Sequence, residues 1–368
     1  MKAGSVHRGP VRNAHIRRTL FPGVPFPAVL LRSTLARHTL AGAAALAALY
    51  LLTTNVDAGG NHEIAQVAAL ACAAAGLTVL AGRSGQLSLG QGAFMAIGAY
   101  TAAQLLNHLR WPVAAVIGAA CATAAGSGLL VGIPTVRLRG WFLAAATLVF
   151  AVGLPLTAEH TPPLTTPPGL GTTFPVERWQ AWIAGGTAVV VFWLLANLAT
   201  GETGRRFGAV RDDEAAAALS GLPVARIRIT AFTVAAASAG VGGALLALST
   251  ATVAPGKFTL TLSLQLLTAV MLGCPGSLTG AAAWSALLGL LPGWLDDVSG
   301  TAAFSHDIAS NLPMAVYGIA LIIAVIAFPR GLPDALRRLR GWFSDAPGPG
   351  TAPGPGTEAD ADADAENV

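Results

Sequence analysis

Residues 64–92 read IAQVAALACAAAGLTVLAGRSGQLSLGQG. Positions 64–82 hold no Asp, Glu, Lys or Arg, and a helix of about 20 such residues spans a hydrocarbon core about 30 Å thick. The run stops at Gly82-Arg83, and residues 82–92 hold four glycines together with the neutral polar residues Gln86, Ser88 and Gln91. Outward from this stretch, uncharged apolar runs recur at approximately 39–56, 84–106, 112–136, 140–157, 179–199, 229–250, 258–274, 278–295 and 308–328. The whole chain agrees. Of 368 residues, 54% are hydrophobic and only 11% charged, with a mean hydropathy of +0.61. That excludes a soluble enzyme, which carries roughly a quarter charged residues. Forty-three glycines without a Gly-X-Y period exclude collagen. The expected fold is an all-α polytopic membrane protein with about ten transmembrane helices, some short or broken.

If every run crosses, the intervening loops alternate sides, and basic residues should gather on the cytoplasmic one. One side collects nineteen basic residues: the arm 1–38, Arg83, Arg137, Arg139, the 201–228 loop and the C-terminal tail. The other holds Arg110, Arg178 and Lys257. Both termini are therefore expected in the cytoplasm. The seven charges of the arm precede the first run and read as a topogenic signal rather than a nucleic-acid patch. No cleavable signal peptide is expected, because the first apolar run starts late. Pro112 suits a first helical turn, while Asp57-Ala-Gly-Gly60 and Pro329-Arg-Gly331 are expected to close the runs before them. Three parts follow: a basic cytoplasmic arm 1–38, a membrane domain 39–333 and a cytoplasmic tail 334–368. From about residue 344 the tail is Pro/Gly-rich and then acidic, a composition expected to be disordered.

Much chemistry is excluded. No Gly-x-x-x-x-Gly-Lys-Ser/Thr occurs, and Gly256-Lys257 is followed by Phe258, so this chain holds no nucleotide in a P-loop and any ATP is hydrolysed elsewhere. The seven histidines lack paired ligand spacing, and Cys72, Cys121 and Cys274 each lie in apolar runs, so neither a metal site nor a disulfide framework is expected. The apolar runs contain no Asp or Glu, which disfavours a proton relay. A solute would have to pass along neutral groups.

Two places are informative. In the first, Gly85, Gln86, Ser88, Gly90 and Gln91 stand at a helix start. Either the segment is broken and lines a cavity, pointing free N–H groups at an anionic group, or its small residues only let neighbouring helices approach. Gly128-x-x-x-Gly132 and Gly276-x-x-x-Gly280 read as packing surfaces, and Thr161–Gly171 as a proline-stiffened connector. The second place is the 201–228 loop. Asp212-Asp-Glu-Ala-Ala-Ala-Ala-Leu-Ser-Gly221 reads as one short helix, with acids in its first turn, alanines behind them, and Gly221 and Pro223 as its stop. It is either a lever for a soluble partner or a connector lying on the membrane surface.

At these places the sequence resembles the permease subunits of branched-chain amino acid ABC transporters, the LivM type. Gly85-Gln-Leu-Ser-Leu-Gly90 through Phe94 and Gly98-Ala-Tyr100 look like the family's first signature. Leu138-Arg-Gly140 with Ala144 and Thr147-Leu148 resembles the next, and Arg211 through Glu214, Ala216-Ala217, Gly221 and Ala231-Phe232 resemble its EAA-type loop. Gly273, Gly276-Ser-Leu-Thr-Gly280 and Phe328-Pro-Arg-Gly331 complete an ordered set over about 64–333. The resemblance implies a bacterial inner-membrane subunit that forms half of a pore with a second permease subunit. Arg211, Glu214, Ala216, Ala217 and Gly221 would then form the coupling loop seated in two ATP-binding ATPase subunits, with an extracytoplasmic substrate-binding protein delivering the solute. Some positions depart from the family. Cys274, Ala281 and Trp284 stand where glycine, proline and glycine are usual, and Val152 replaces an acid. The expected solute is a branched-chain or other hydrophobic amino acid, carried in a pathway lined by Gly85, Gln86, Ser88, Gly90 and Gln91. The rival readings are an ion-coupled secondary transporter, or an ABC permease for urea, a sugar or a nucleoside. No catalytic residue, bound cofactor or nucleic-acid partner is expected, and membrane lipid surrounds the chain.

Overall fold

The computed structural model describes residues 34–109, 111–137, 141–158, 164–165, 176–250, 252–253 and 255–301, together with Ile319 and Ile322. Helix α1 covers Thr34–Asn55, α2 Ala58–Ser84, α3 Gln91–Gln104, α4 Val113–Thr135, α5 Trp141–Ala158 and α6 Val176–Thr200. They are followed by α7 Glu202–Asp212, α8 Glu214–Leu219, α9 Val224–Ser249, α10 Leu260–Leu272 and α11 Leu278–Thr301. A π-helical turn, Leu105–Leu109, prolongs α3, and a single antiparallel pair joins β1 Leu164–Thr165 to β2 Thr252–Val253. Five of the described helices are long and apolar enough to cross a membrane: Leu35–Asn55, Ala58–Ser84, Val113–Pro134, Val176–Thr200 and Val224–Ser249. Each apolar run from 39–56 to 278–295 contains a helix. The run 308–328, the Pro329 stop, residues 1–33 of the arm and the tail lie outside the described residues.

Two local expectations change. Asp57-Ala-Gly-Gly does not close α1 as a loop. Asp57 is the N-cap of α2, its carboxylate accepting from Gly60 N–H at 3.3 Å, and the glycines form the first turn of that helix. The 201–228 loop holds two helices rather than one, because its basic stretch is itself helical as α7, closed by an i,i+4 pair between Glu202 and Arg206. Asp213 then leaves helical geometry (φ −153°, ψ 108°), and its carboxylate caps α8 by accepting from Ala215 and Ala216 N–H at 2.9 and 3.0 Å.

The core forms around α9, which packs on α2, α3 and α4. In lipid no hydrophobic force drives helices together, so close approach of small residues takes that role. A Cβ on Gly98 of α3 would overlap the Gly240 carbonyl of α9, and one on Gly243 would overlap the Met95 carbonyl. The Gly128/Gly132 step meets α9 at Ala236 and Phe232, as a packing surface should. Larger side chains fill what remains: Phe94 lies with its ring 5.1 Å from Phe150 and 5.7 Å from Phe232. The opposite faces of α4 and α5 present Leu130, Phe142 and Val149 outward, each at least 70% exposed, as lipid-facing helices do.

Loops assigned to one side by the alternation of apolar runs also meet each other. At one end Arg211 donates to the Gly82 carbonyl and Gly82 touches Gly276. At the other, Gln180 donates to Leu248 O at 2.7 Å, Trp182 to Thr53 Oγ1 at 2.8 Å, and β1 pairs with β2.

Candidate functional site

Helix α2 ends where Gly85 turns left-handed (φ 70°), a geometry that glycine adopts without Cβ strain. Ser84 donates its hydroxyl to Leu80 O at 2.7 Å and Gln86 N–H reaches the same carbonyl at 3.2 Å, so the last turn is closed from within. Residues 85–90 then run without helix until α3 starts at Gln91. Leu89 N–H is taken by Thr147 Oγ1 at 3.0 Å, Gly90 N–H by Ser88 Oγ at 3.2 Å and Gly92 N–H by Ser263 Oγ at 3.0 Å. Hydroxyls thus satisfy the N–H groups of residues 89, 90 and 92, where the broken backbone enters the interior. An incoming carboxylate would reach these N–H groups only by displacing Thr147, Ser88 or Ser263.

Gln86, Ser88 and Gln91 are 4%, 1% and 1% exposed. Gln91 Nε2 donates to Ala73 O of α2 at 3.1 Å and to Ala235 O of α9 at 3.0 Å. Gln86 Nε2 donates to Ser84 Oγ at 3.2 Å and to Arg228 O at 3.3 Å. Both amide oxygens are buried without a hydrogen-bond partner, a costly state for a polar atom. Depth follows from helix rise. Ala73 and Ala235 each lie eleven residues from the α2 and α9 ends nearest the 201–228 loop, so Gln91 sits roughly 16 Å in, near the middle of a bilayer core about 30 Å thick. Arg228 is the fifth residue of α9. The 85–91 segment therefore climbs from one membrane surface to mid-depth as interrupted backbone. The break between α2 and α3 and the close approach of small residues, alternatives in the sequence, are both present.

The 201–228 loop is tied to that segment at two points. Arg211, at the end of α7, lies against Gly85 and donates to the Gly82 carbonyl. Glu214, at the start of α8, pairs with Arg228 at 3.0 Å, and the Arg228 carbonyl accepts from Gln86. Ala217 is buried on the supporting side of α8, Ala216 is exposed, and Gly221 (φ 80°) is exposed at the turn that ends it. Thr147, Ser263 and Arg228 were not assigned roles by sequence. Thr147 had appeared only as part of a motif, Arg228 only as a charge, and Ser263 is a hydroxyl in an apolar run with no local signal. Among the described residues no group of three or more His, Cys, Asp or Glu could hold a metal ion.

Residues 63–325 match the family model described as the branched-chain amino acid transport system / permease component. The chain is 35% identical to the high-affinity branched-chain amino acid transport system permease protein LivM of Salmonella typhimurium and 35% identical to that of Escherichia coli, with 55% of this chain and 55% of the relative covered in each case. It thus spans about half the length of the curated relatives it matches. No solved structure matches it.

Proposed function

The chain belongs to the permease family of branched-chain amino acid transport systems, and from that premise we propose that it is one pore-forming subunit of an ATP-driven importer in a bacterial inner membrane. Its solute is a branched-chain or other hydrophobic amino acid. Residues 39–333 are the permease unit, and 1–38 and 334–368 are its cytoplasmic extensions. The observation that carries this reading is the mid-depth amide of Gln91 at the start of a broken helix. Such interrupted helices near the midplane hold solutes in transporters, because the freed N–H groups and amides bind charge without a titrating side chain. In the arrangement seen, Gln86, Ser88, Gly90 and Gln91 are buried among neighbouring hydroxyls and carbonyls, and Gly85 is exposed. Opening the pathway exchanges those internal bonds for bonds to the solute's carboxylate and ammonium groups, while its aliphatic side chain meets Leu and Val surfaces.

The drive comes from outside the chain. Two ATPase subunits seat the loop carrying Arg211, Glu214, Ala216, Ala217 and Gly221, a second permease subunit completes the pore, and an extracytoplasmic binding protein delivers the solute. The ties Arg211–Gly82 and Glu214–Arg228–Gln86 support this, since a displacement of α7 and α8 pulls on the start of the 85–91 segment. Reconstitution of the assembled system into liposomes tests it. Uptake should require ATP and the binding protein, and Gln91→Ala should lower it at least about tenfold, the loss of roughly 1.4 kcal/mol of solute interaction. Accumulation by this chain alone on an ion gradient, or unchanged uptake in Gln86→Ala, Ser88→Ala and Gln91→Ala, would overturn the proposal.

A further inference from the structure

An open groove of about 610 Å3 lies between α1, α2, α6 and α11, away from Gln86, Ser88 and Gln91. Its walls are almost wholly apolar, formed by residues such as Ala45, Val67, Val189, Phe192 and Ala282. Its polar residues are gathered at one end. His38 lies in the second turn of α1, Arg83 in the last turn of α2, Thr200 at the end of α6 and Thr279 in the first turn of α11. From Thr200 to Ala188 along α6, and from Arg83 to Val67 along α2, the groove runs roughly 18 to 24 Å at 1.5 Å per residue. That is about half of a bilayer 40–45 Å thick with its headgroups, so the groove is one leaflet deep.

Arg83 is partly buried, and no ion pair or hydrogen bond holds its guanidinium among the described residues. His38 is occupied with Asn197 Oδ1 at 2.9 Å, and Thr200 with the Ala196 carbonyl at 2.9 Å. Trp193, on the groove wall, has its Nε1 buried without a partner. Among the described residues the surface therefore offers an uncompensated cation at membrane-surface level, the Trp193 side chain on the wall deeper in, and an apolar trough below. A ligand that matches this surface carries a negative head and a hydrocarbon chain.

We propose that this groove is a binding site for one anionic phospholipid of the surrounding leaflet, with its phosphate on Arg83 and an acyl chain laid against α1 and α6. The charge decides for an anionic over a zwitterionic lipid, because a zwitterion brings its own cation to Arg83. The proposal needs only that α2 and α6 lie in a bilayer, and stands apart from the identity of the transported solute.

Acyl-brominated phospholipids quench tryptophan on contact, which makes Trp193 the reporter. The full chain and its Trp193→Phe variant are reconstituted in phosphatidylcholine bilayers doped with brominated phosphatidylglycerol or brominated phosphatidylcholine, and the difference between the two proteins isolates the Trp193 signal. Occupancy by the anionic lipid should exceed that by the zwitterionic one about fivefold, the preference expected for one basic residue near a membrane surface. Arg83→Gln should bring the two lipids to parity, and Arg83→Lys should keep the preference, which separates loss of charge from loss of fold. Equal quenching by both lipids in the unaltered chain, or a preference surviving Arg83→Gln, overturns the proposal. So does a Trp193 that neither lipid quenches, since residues 302–333 or a second polypeptide would then occupy the groove.

Discussion

Cys274 holds a φ of 73°, the left-handed region, where a side chain crowds its own backbone. It stands where the resembled family has glycine, and the turn between α10 and α11 shows why: Gly276, two residues on, also has positive φ (95°) and must press against Gly82. Cys274→Gly should therefore stabilise the protein by about 0.5–1 kcal/mol, the relief of left-handed strain less the added freedom of the unfolded chain. Thermal unfolding in detergent would show a higher midpoint. Gly82→Ala should do the reverse, by about 1–3 kcal/mol or more, because its Cβ would land on the backbone of Gly276, which cannot rotate away as a side chain can. Gly118→Ala, with open space around the new methyl, is the control and should be neutral or stabilising. Residues of this kind were legible in the sequence because a turn leaves a local mark. Thr147 and Ser263 were not, since their partners Leu89 and Gly92 lie 58 and 171 residues away and only packing unites them.

Among the elements, the apolar runs were legible because bilayer thickness imposes a length on them, whereas the four glycines after Leu80 suited both a broken helix and a close helix contact, and only the structure shows the break after Gly85. The α7–α8 corner was misjudged. Acids, alanines and a glycine stop suited one helix, but Asp213 serves α8 better as a cap outside the helix than as a member of its first turn. Asp213→Ala should cost about 1 kcal/mol and loosen α8, read as faster amide exchange at Ala215 and Ala216. Leu219, the last residue of α8, is 91% exposed, and Ala215, Ala216 and Ala218 are exposed beside it while Ala217 faces inward. A hydrophobe so exposed on a charged loop has little to give to folding. Leu219→Ser should leave the unfolding midpoint within about 0.5 kcal/mol of the unaltered protein. In the assembled transporter the same change should weaken the grip of the ATPase subunits and lower ATP-dependent uptake. A stable variant with full uptake would remove α8 from the coupling contact.

At the scale of the whole molecule, two observations of different origin agree on which loops share a side. Alternation of the apolar runs put Arg83 and the 201–228 loop together and Arg178 opposite them, and the uneven count of basic residues agreed with that division. The packing brings Arg211 to Gly82 at one end, and Gln180 to Leu248 with β1 on β2 at the other. Neither says which side is the cytoplasm; the nineteen basic residues against three are the ground on which we propose that the Arg211 side faces inward. Single cysteines at exposed sites of opposite ends decide it. In a chain with its native cysteines replaced, Gly256→Cys, where nothing crowds a new side chain, should react with a membrane-impermeant maleimide in intact cells. Ala215→Cys on α8 should react only after the membrane is opened. The reverse pattern would invert the protein and leave ATPase subunits no loop to hold. Labelling of both from outside would break the alternation itself, and with it the climb of residues 85–91 from the inner surface to mid-depth on which the transport reading rests.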